Sequence, residues 1–124
     1  MKRNRIEDQI QRAVIQHLRE RGAPGIVFWH TPNGGHRRKT EAAILKGLGV
    51  RAGVSDIIII HKSRVFGLEL KAPDGHPTES QMQFISDLNA AGGFGCIVEG
   101  LDSAIKVLET WGLLRGQASL RSAA

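Results

Sequence analysis

Two apolar runs joined by a four-residue connection set the tightest limit on how this chain folds. Gly53-Val54-Ser55-Asp56 leads into Ile57-Ile58-Ile59-Ile60, His61-Lys62-Ser63-Arg64 is polar, and Val65-Phe66-Gly67-Leu68-Glu69-Leu70-Lys71 follows. Consecutive β-branched residues suit a strand buried on both faces of a sheet. The short polar connection makes the second run its neighbour in a hairpin. Alternation along that second strand places Phe66, Leu68 and Leu70 on one face and Gly67, Glu69 and Lys71 on the other. An acid and an amine therefore project side by side from a strand whose far face is core. Asp56 opens the first strand, where its hairpin partner can bring its carboxylate beside Glu69. Two converging carboxylates repel each other unless a cation lies between them. Such a pair suits a hard divalent ion such as Mg2+, which takes carboxylate and water oxygens and joins phosphate oxygens of a substrate. Lys71 is then placed to hold or deprotonate a water, or to stabilise charge developing on phosphorus.

Composition narrows the setting. At 124 residues the chain fits one sheet-and-helix core; we expect a single domain over 1–114 and a frayed tail of small and polar residues over 115–124. No apolar run is long enough to span a bilayer and none follows the basic N-terminus, so neither a membrane segment nor a signal peptide is expected, and a cytoplasmic location is. The single cysteine, Cys96, sits in an apolar run and suits a reducing compartment. A formal net charge of +5 and a sequence pI near 10.0 favour a polyanionic partner. Charge alone does not separate DNA from RNA.

The flanking segments supply further candidates. A helix is expected from Asn4, its N-cap, to Arg21, with Ile6, Ile10, Val14 and Leu18 as the apolar stripe. Glu7 falls within that stripe, either complementing the helix N-terminus or reaching toward the acid pair. Ile26 to His30 reads as a strand, with His30 a structural histidine. The turn-rich stretch Thr31 to Lys39 offers Asn33, His36, Arg37, Arg38 and Lys39 as phosphate contacts, with glycines that let backbone amides approach. An ordinary solvated loop is the plainer account. Thr40 is expected to cap a short helix ending at Gly49, and Arg51 is a candidate phosphate clamp or a solubilising side chain. Ala72 to Pro77 is a loop, where His76 is either an auxiliary base or, more simply, an uninvolved loop histidine. Thr78 and Gln81 have capping-box spacing at the start of a helix expected to pack through Met82, Ile85 and Leu88, with Phe84 flanking. A strand from Phe94 to Glu99 and a helix capped by Asp102 or Ser103 complete the chain.

Asp56 followed by Glu69-Leu70-Lys71 resembles the Asp...Glu-x-Lys signature of the restriction-endonuclease-like, PD-(D/E)XK superfamily. The wording Gly53-Val-Ser-Asp56...Leu68-Glu-Leu-Lys-Ala-Pro73...Gly75...Gln81-x-x-Phe84 is similar to the viral replication and repair nuclease (VRR-Nuc) family, from about Glu7 to near Leu108. Ser55 departs from it by standing where that family often has proline. The resemblance implies an α/β fold with a restriction-endonuclease-like αβββαβ core, a central mixed sheet flanked by helices. It implies a Mg2+-dependent DNA endonuclease, with Mn2+ able to substitute. Asp56, Glu69, the Leu70 carbonyl and Glu7 would hold the ion, Lys71 would handle the water, and Gln81 would stand at the catalytic face. Branched, flapped or Holliday-junction DNA, a homodimer, and phage or bacterial replication, repair or recombination also follow from resemblance alone. Two rivals remain: a non-catalytic nucleic-acid-binding subunit of a replication assembly, and an RNA-directed nuclease.

Overall fold

The computed structural model describes residues 5–32 and 38–116. Four strands form one sheet in chain order: β1 (Val27–His30), β2 (Ile57–His61), β3 (Arg64–Lys71) and β4 (Phe94–Glu99). The first two pairings are antiparallel and the third is parallel. Helices α1 (Arg5–Arg21), α2 (Lys39–Gly47), α3 (Glu79–Ala90) and α4 (Gly100–Thr110) flank the sheet. Element order is the αβββαβ core with α2 inserted and α4 appended, an α/β architecture with a mixed sheet.

The β2–β3 hairpin closes in two residues, Lys62 and Ser63, both at positive φ (50° and 64°). That pairing of left-handed residues matches the natural twist of a hairpin and fixes its register. Ile57 thereby faces Leu68, and Ile59 faces Phe66. These four, with Leu70, form one sheet face, and Ile10, Val14 and Leu18 of α1 and Ala104 and Leu108 of α4 cover it. Ile6 leaves the expected stripe: it lies in the first turn, ahead of the first core contact, and is exposed.

On the opposite face α3 sits over two glycines. A Cβ on Gly67 would come within 2.8 Å of Leu88 Cδ2 and of Ser55 Oγ, and one on Gly95 within 2.9 Å of Ile85 Cδ1. Bare backbone at both positions lets the helix seat directly on β3 and β4. Met82, expected in that packing face, is exposed. At 100° per residue Gln81, Phe84, Ile85 and Leu88 share a sector that excludes it. Because α3 covers only β3 and β4, Ile60 is also exposed, and the isoleucine run is buried on both faces only through Ile59.

Local signals at helix ends were partly misleading. The N-cap of α2 is Arg38, without a side-chain bond, and Thr40 lies inside the first turn. Glu99 caps α4 because Gly100, at φ 79°, turns the chain directly out of β4; Asp102 and Ser103 fall within the helix. Asn4 lies outside the described residues. Arg115, assigned above to the tail, is tied down: its N–H donates to the Arg21 carbonyl at 2.8 Å, and Arg21 Nε donates to its carbonyl at 2.7 Å. Residues 117–124 lie outside the described residues.

Candidate active site

Antiparallel pairing of Ile57 with Leu68 carries a consequence one residue further along the ladder, where Asp56 stands opposite Glu69. Asp56 is fixed from two sides. Its carbonyl accepts from Thr31 N–H at 2.9 Å and from the His30 imidazole Nδ1 at 2.7 Å. Its carboxylate Oδ2 accepts from the Leu70 N–H at 2.8 Å. Edge strand and central strand therefore both hold it, which suits a side chain whose position matters. His30 is satisfied by this backbone contact, in line with a structural role.

Glu69 is a charged group in a dry place. Only 2% of its surface is exposed, and its Oε1 has no hydrogen-bond partner. Its Oε2 lies 3.7 Å from Lys71 Nζ, itself buried. Burial, and then the adjacent Asp56 charge and a hydrogen bond to that carboxylate, push the Glu69 carboxyl from its usual 4.5 up to about 8, while Lys71 pulls it down. Without a cation Glu69 therefore keeps its proton near neutral pH.

Fit to a metal can be judged from this geometry. A buried carboxylate oxygen without a partner is a costly arrangement that a bound cation relieves. The Asp56 and Glu69 carboxylates offer oxygen donors, the type a hard divalent ion prefers. The residues present fit such an ion. Among the described residues no three His, Cys, Asp or Glu side chains group closely enough to hold a metal, so the protein's side-chain donors converge as a pair.

The remaining candidates are distributed as follows. Glu7 reaches the chain one residue beyond Lys71, where its Oε2 accepts from Ala72 N–H at 3.5 Å. Gln81 closes the capping box: its Oε1 accepts from Thr78 N–H at 2.9 Å, and its own N–H donates to Thr78 Oγ1 at 3.2 Å. Arg51 bonds the Asp87 carboxylate and lies 5.1 Å from the Phe84 ring centroid, which joins the loop before Asp56 to α3. Arg38 and Lys39 are exposed at the start of α2. Asn33, His36 and Arg37 lie outside the described residues. Ser55, in the sequence only a departure from the family's proline, has a buried, unpartnered hydroxyl against Gly67. The signal available was its place directly before Asp56.

No protein-family model matches the chain, and no curated protein matches it. A solved structure described as a "VRR_NUC domain protein" does: it superimposes with a TM-score of 0.70 at 26% sequence identity, over 89% of this chain and 90% of that one. The chain resembles a VRR-Nuc domain. The likeness spans nearly the whole described chain, including the acid pair on the β2–β3 hairpin. Among the described residues no helix is long and apolar enough to cross a membrane.

Proposed function

We propose that the chain is a VRR-Nuc domain and a metal-dependent DNA endonuclease that hydrolyses phosphodiester bonds. The observation that carries the reading is the Asp56–Glu69 pair with an orphaned buried oxygen beside a buried lysine. When bound, Mg2+ or Mn2+ supplies charge stabilisation on the phosphoryl oxygens and a more acidic water. Asp56, held by Leu70 N–H, and Glu69, held by the strand, would hold that ion together with the Leu70 carbonyl, while Glu7 of α1 stands outside the pair, on Ala72 N–H. Lys71 holds the attacking water or the developing negative charge on phosphorus. Arg38, Lys39 and Arg51, with Asn33, His36 and Arg37, grip the phosphate backbone.

On this reading the substrate is branched, flapped or four-way DNA in replication, repair or recombination of phage or bacterial DNA, cut by a homodimer. The test is digestion of labelled fork, flap and junction DNA with Mg2+ against EDTA, beside RNA counterparts. Asp56→Ala is expected to lower cleavage by about 10³-fold or more while changing DNA affinity by less than about threefold. Undiminished cutting by that variant would overturn the assignment, and cutting of RNA alone would replace DNA as the substrate.

Gln81 separates two accounts of one side chain. If it serves the catalytic face beyond its capping role, Gln81→Ala lowers cleavage by about tenfold or more, whereas Gln81→Glu, which keeps a capping acceptor, restores stability and not rate. Thermal melting and single-turnover cleavage of both variants check this. Equal recovery of stability and rate by the glutamate would leave capping as its whole contribution.

A further inference from the structure

Two tryptophans occur in the chain. Trp111 packs on Phe66, ring centroids 5.1 Å apart, at the edge of the core. Trp29 does the opposite: it is 45% exposed on β1, while its neighbour Phe28 packs against the core. Register decides which face it occupies. Trp29 pairs with Ile58 and Ile58 pairs with Gly67, which shares its strand face with Glu69 and Lys71. The indole therefore stands on the same side of the sheet as the acid pair. Two residues separate its row from that of Asp56, roughly 7 Å at about 3.3 Å per residue.

We infer that Trp29 is a stacking platform for an unpaired base of the DNA strand whose phosphate lies at the Asp56–Glu69 pair. This rests on the nuclease reading of that site. A displacement of about 7 Å corresponds to about two stacked base steps at 3.4 Å each, so a base about two nucleotides from the scissile position reaches the indole. Beyond Trp29 the strip continues through exposed Val27, Ile60 and Val65, an apolar floor on the bare part of the sheet that α3 leaves uncovered. Among the described residues of β1, β2 and β3, no carboxylate shares that face apart from the acid pair at its end. Two cations stand at its ends: Lys71, on the same face at the site, and Lys62, on the two-residue β2–β3 connection. An aromatic ring with aliphatic neighbours between cations is what single-stranded nucleic acid prefers, because bases stack while phosphates meet positive charge. β1 is also the free edge of the sheet, so alternate backbone amides face outward along the same path. Four exposed side chains make a small patch, well short of the roughly 800 Å² per partner that a stable protein interface buries.

The experiment measures binding in EDTA, so that no cutting occurs, with labelled oligo-dT, a fork carrying a single-stranded arm, and a blunt duplex of equal length. Trp29→Ala is expected to weaken oligo-dT and fork binding by about tenfold, equivalent to about 1.4 kcal/mol, and to leave the blunt duplex unchanged. Trp29→Phe should stay within about threefold of the parent, since a smaller ring still stacks. In a Trp111→Phe background, oligo-dT should quench the remaining tryptophan emission. Unchanged affinity in Trp29→Ala, or an equal loss on blunt duplex, overturns the inference. So does a shift from dimer to monomer on sedimentation with oligo-dT affinity intact, which would make the patch a contact between copies. Binding with this tryptophan signature but no Mg2+-dependent cutting by the parent protein would remove the nuclease reading and keep the platform. Cutting without the signature would do the reverse.

Discussion

Glu69→Gln is expected to abolish cleavage and, at alkaline pH, to make the metal-free protein more stable than its parent. Both effects come from one burial. The folded state holds the Glu69 proton up to about pH 8, whereas the unfolded chain releases it near the usual 4.5. Between those values the native state binds more protons, so stability falls as pH rises. The favourable contribution is complete below about 4.5 and is gone once pH exceeds about 8. Above that point the parent carries a buried anion beside Asp56, a cost on the order of a few kcal/mol. Glutamine keeps the shape of the protonated form and removes the ionisation. Its melting temperature should therefore exceed the parent's by roughly 5–10 °C near pH 9 and match it near pH 5. Divalent binding obeys the same linkage: the ion must displace the proton, so apparent affinity climbs with pH and levels off above about 8. Calorimetric melting from pH 5 to 9, with and without Mg2+, reads both slopes. A variant whose melting temperature tracks the parent's across that range would show that Glu69 does not hold the proton. Cleavage should fall by about 10³-fold at every pH, because the neutral amide cannot replace the carboxylate as a ligand.

Much of this site was legible because its geometry is local. Asp56 and Glu69 lie on two strands of one hairpin, and a tight turn leaves few registers. The faces of β3 followed from alternation alone, and the capping box at Thr78 and Gln81 from spacing. What alternation does not reveal is depth: Glu69 looks like any strand acid until α3 closes over Gly67 and Gly95, contacts made between distant parts of the chain. Met82 was misplaced for the same reason, since the sector of α3 that meets the sheet depends on where those glycines allow the closest approach. Ile60 and Ile6 were overestimated because an apolar pattern says which face a residue takes, and not how far the covering layer extends. The caps of α2 and α4 failed where backbone geometry at Gly100, or the lead-in from Arg38, outweighed side-chain preference. Trp29 was visible as a strand residue, but its pairing with Ile58 was needed to set it on the side of the acids.

Lys71 should separate binding from chemistry. Its ammonium is buried 3.7 Å from Glu69 Oε2, so it sits among the reacting groups rather than on a solvated phosphate track. Lys71→Met keeps most of the apolar stem and deletes the charge, which spares the packing that Lys71→Ala would lose. Cleavage by the methionine variant is expected to drop by about 10² to 10⁴-fold, with DNA affinity within about threefold of the parent. A second consequence is independent of catalysis. The Lys71 charge pulls the Glu69 carboxyl down against burial and Asp56, so without it Glu69 holds its proton more tightly. Near neutral pH the variant should then need more Mg2+ for half-maximal thermal stabilisation, and its metal-linked transition should move to higher pH. Lys71→Arg tests shape: charge returns, but a planar fork cannot occupy the place of a compact ammonium, so the Mg2+ requirement should recover further than the rate does. Were the methionine variant to cut like its parent, Lys71 would be a counter-ion to the acids and the water would have to be handled by another group. If its Mg2+ requirement alone were unchanged, the lysine would belong to the chemical step and not to the electrostatics that prepare the pair for a metal.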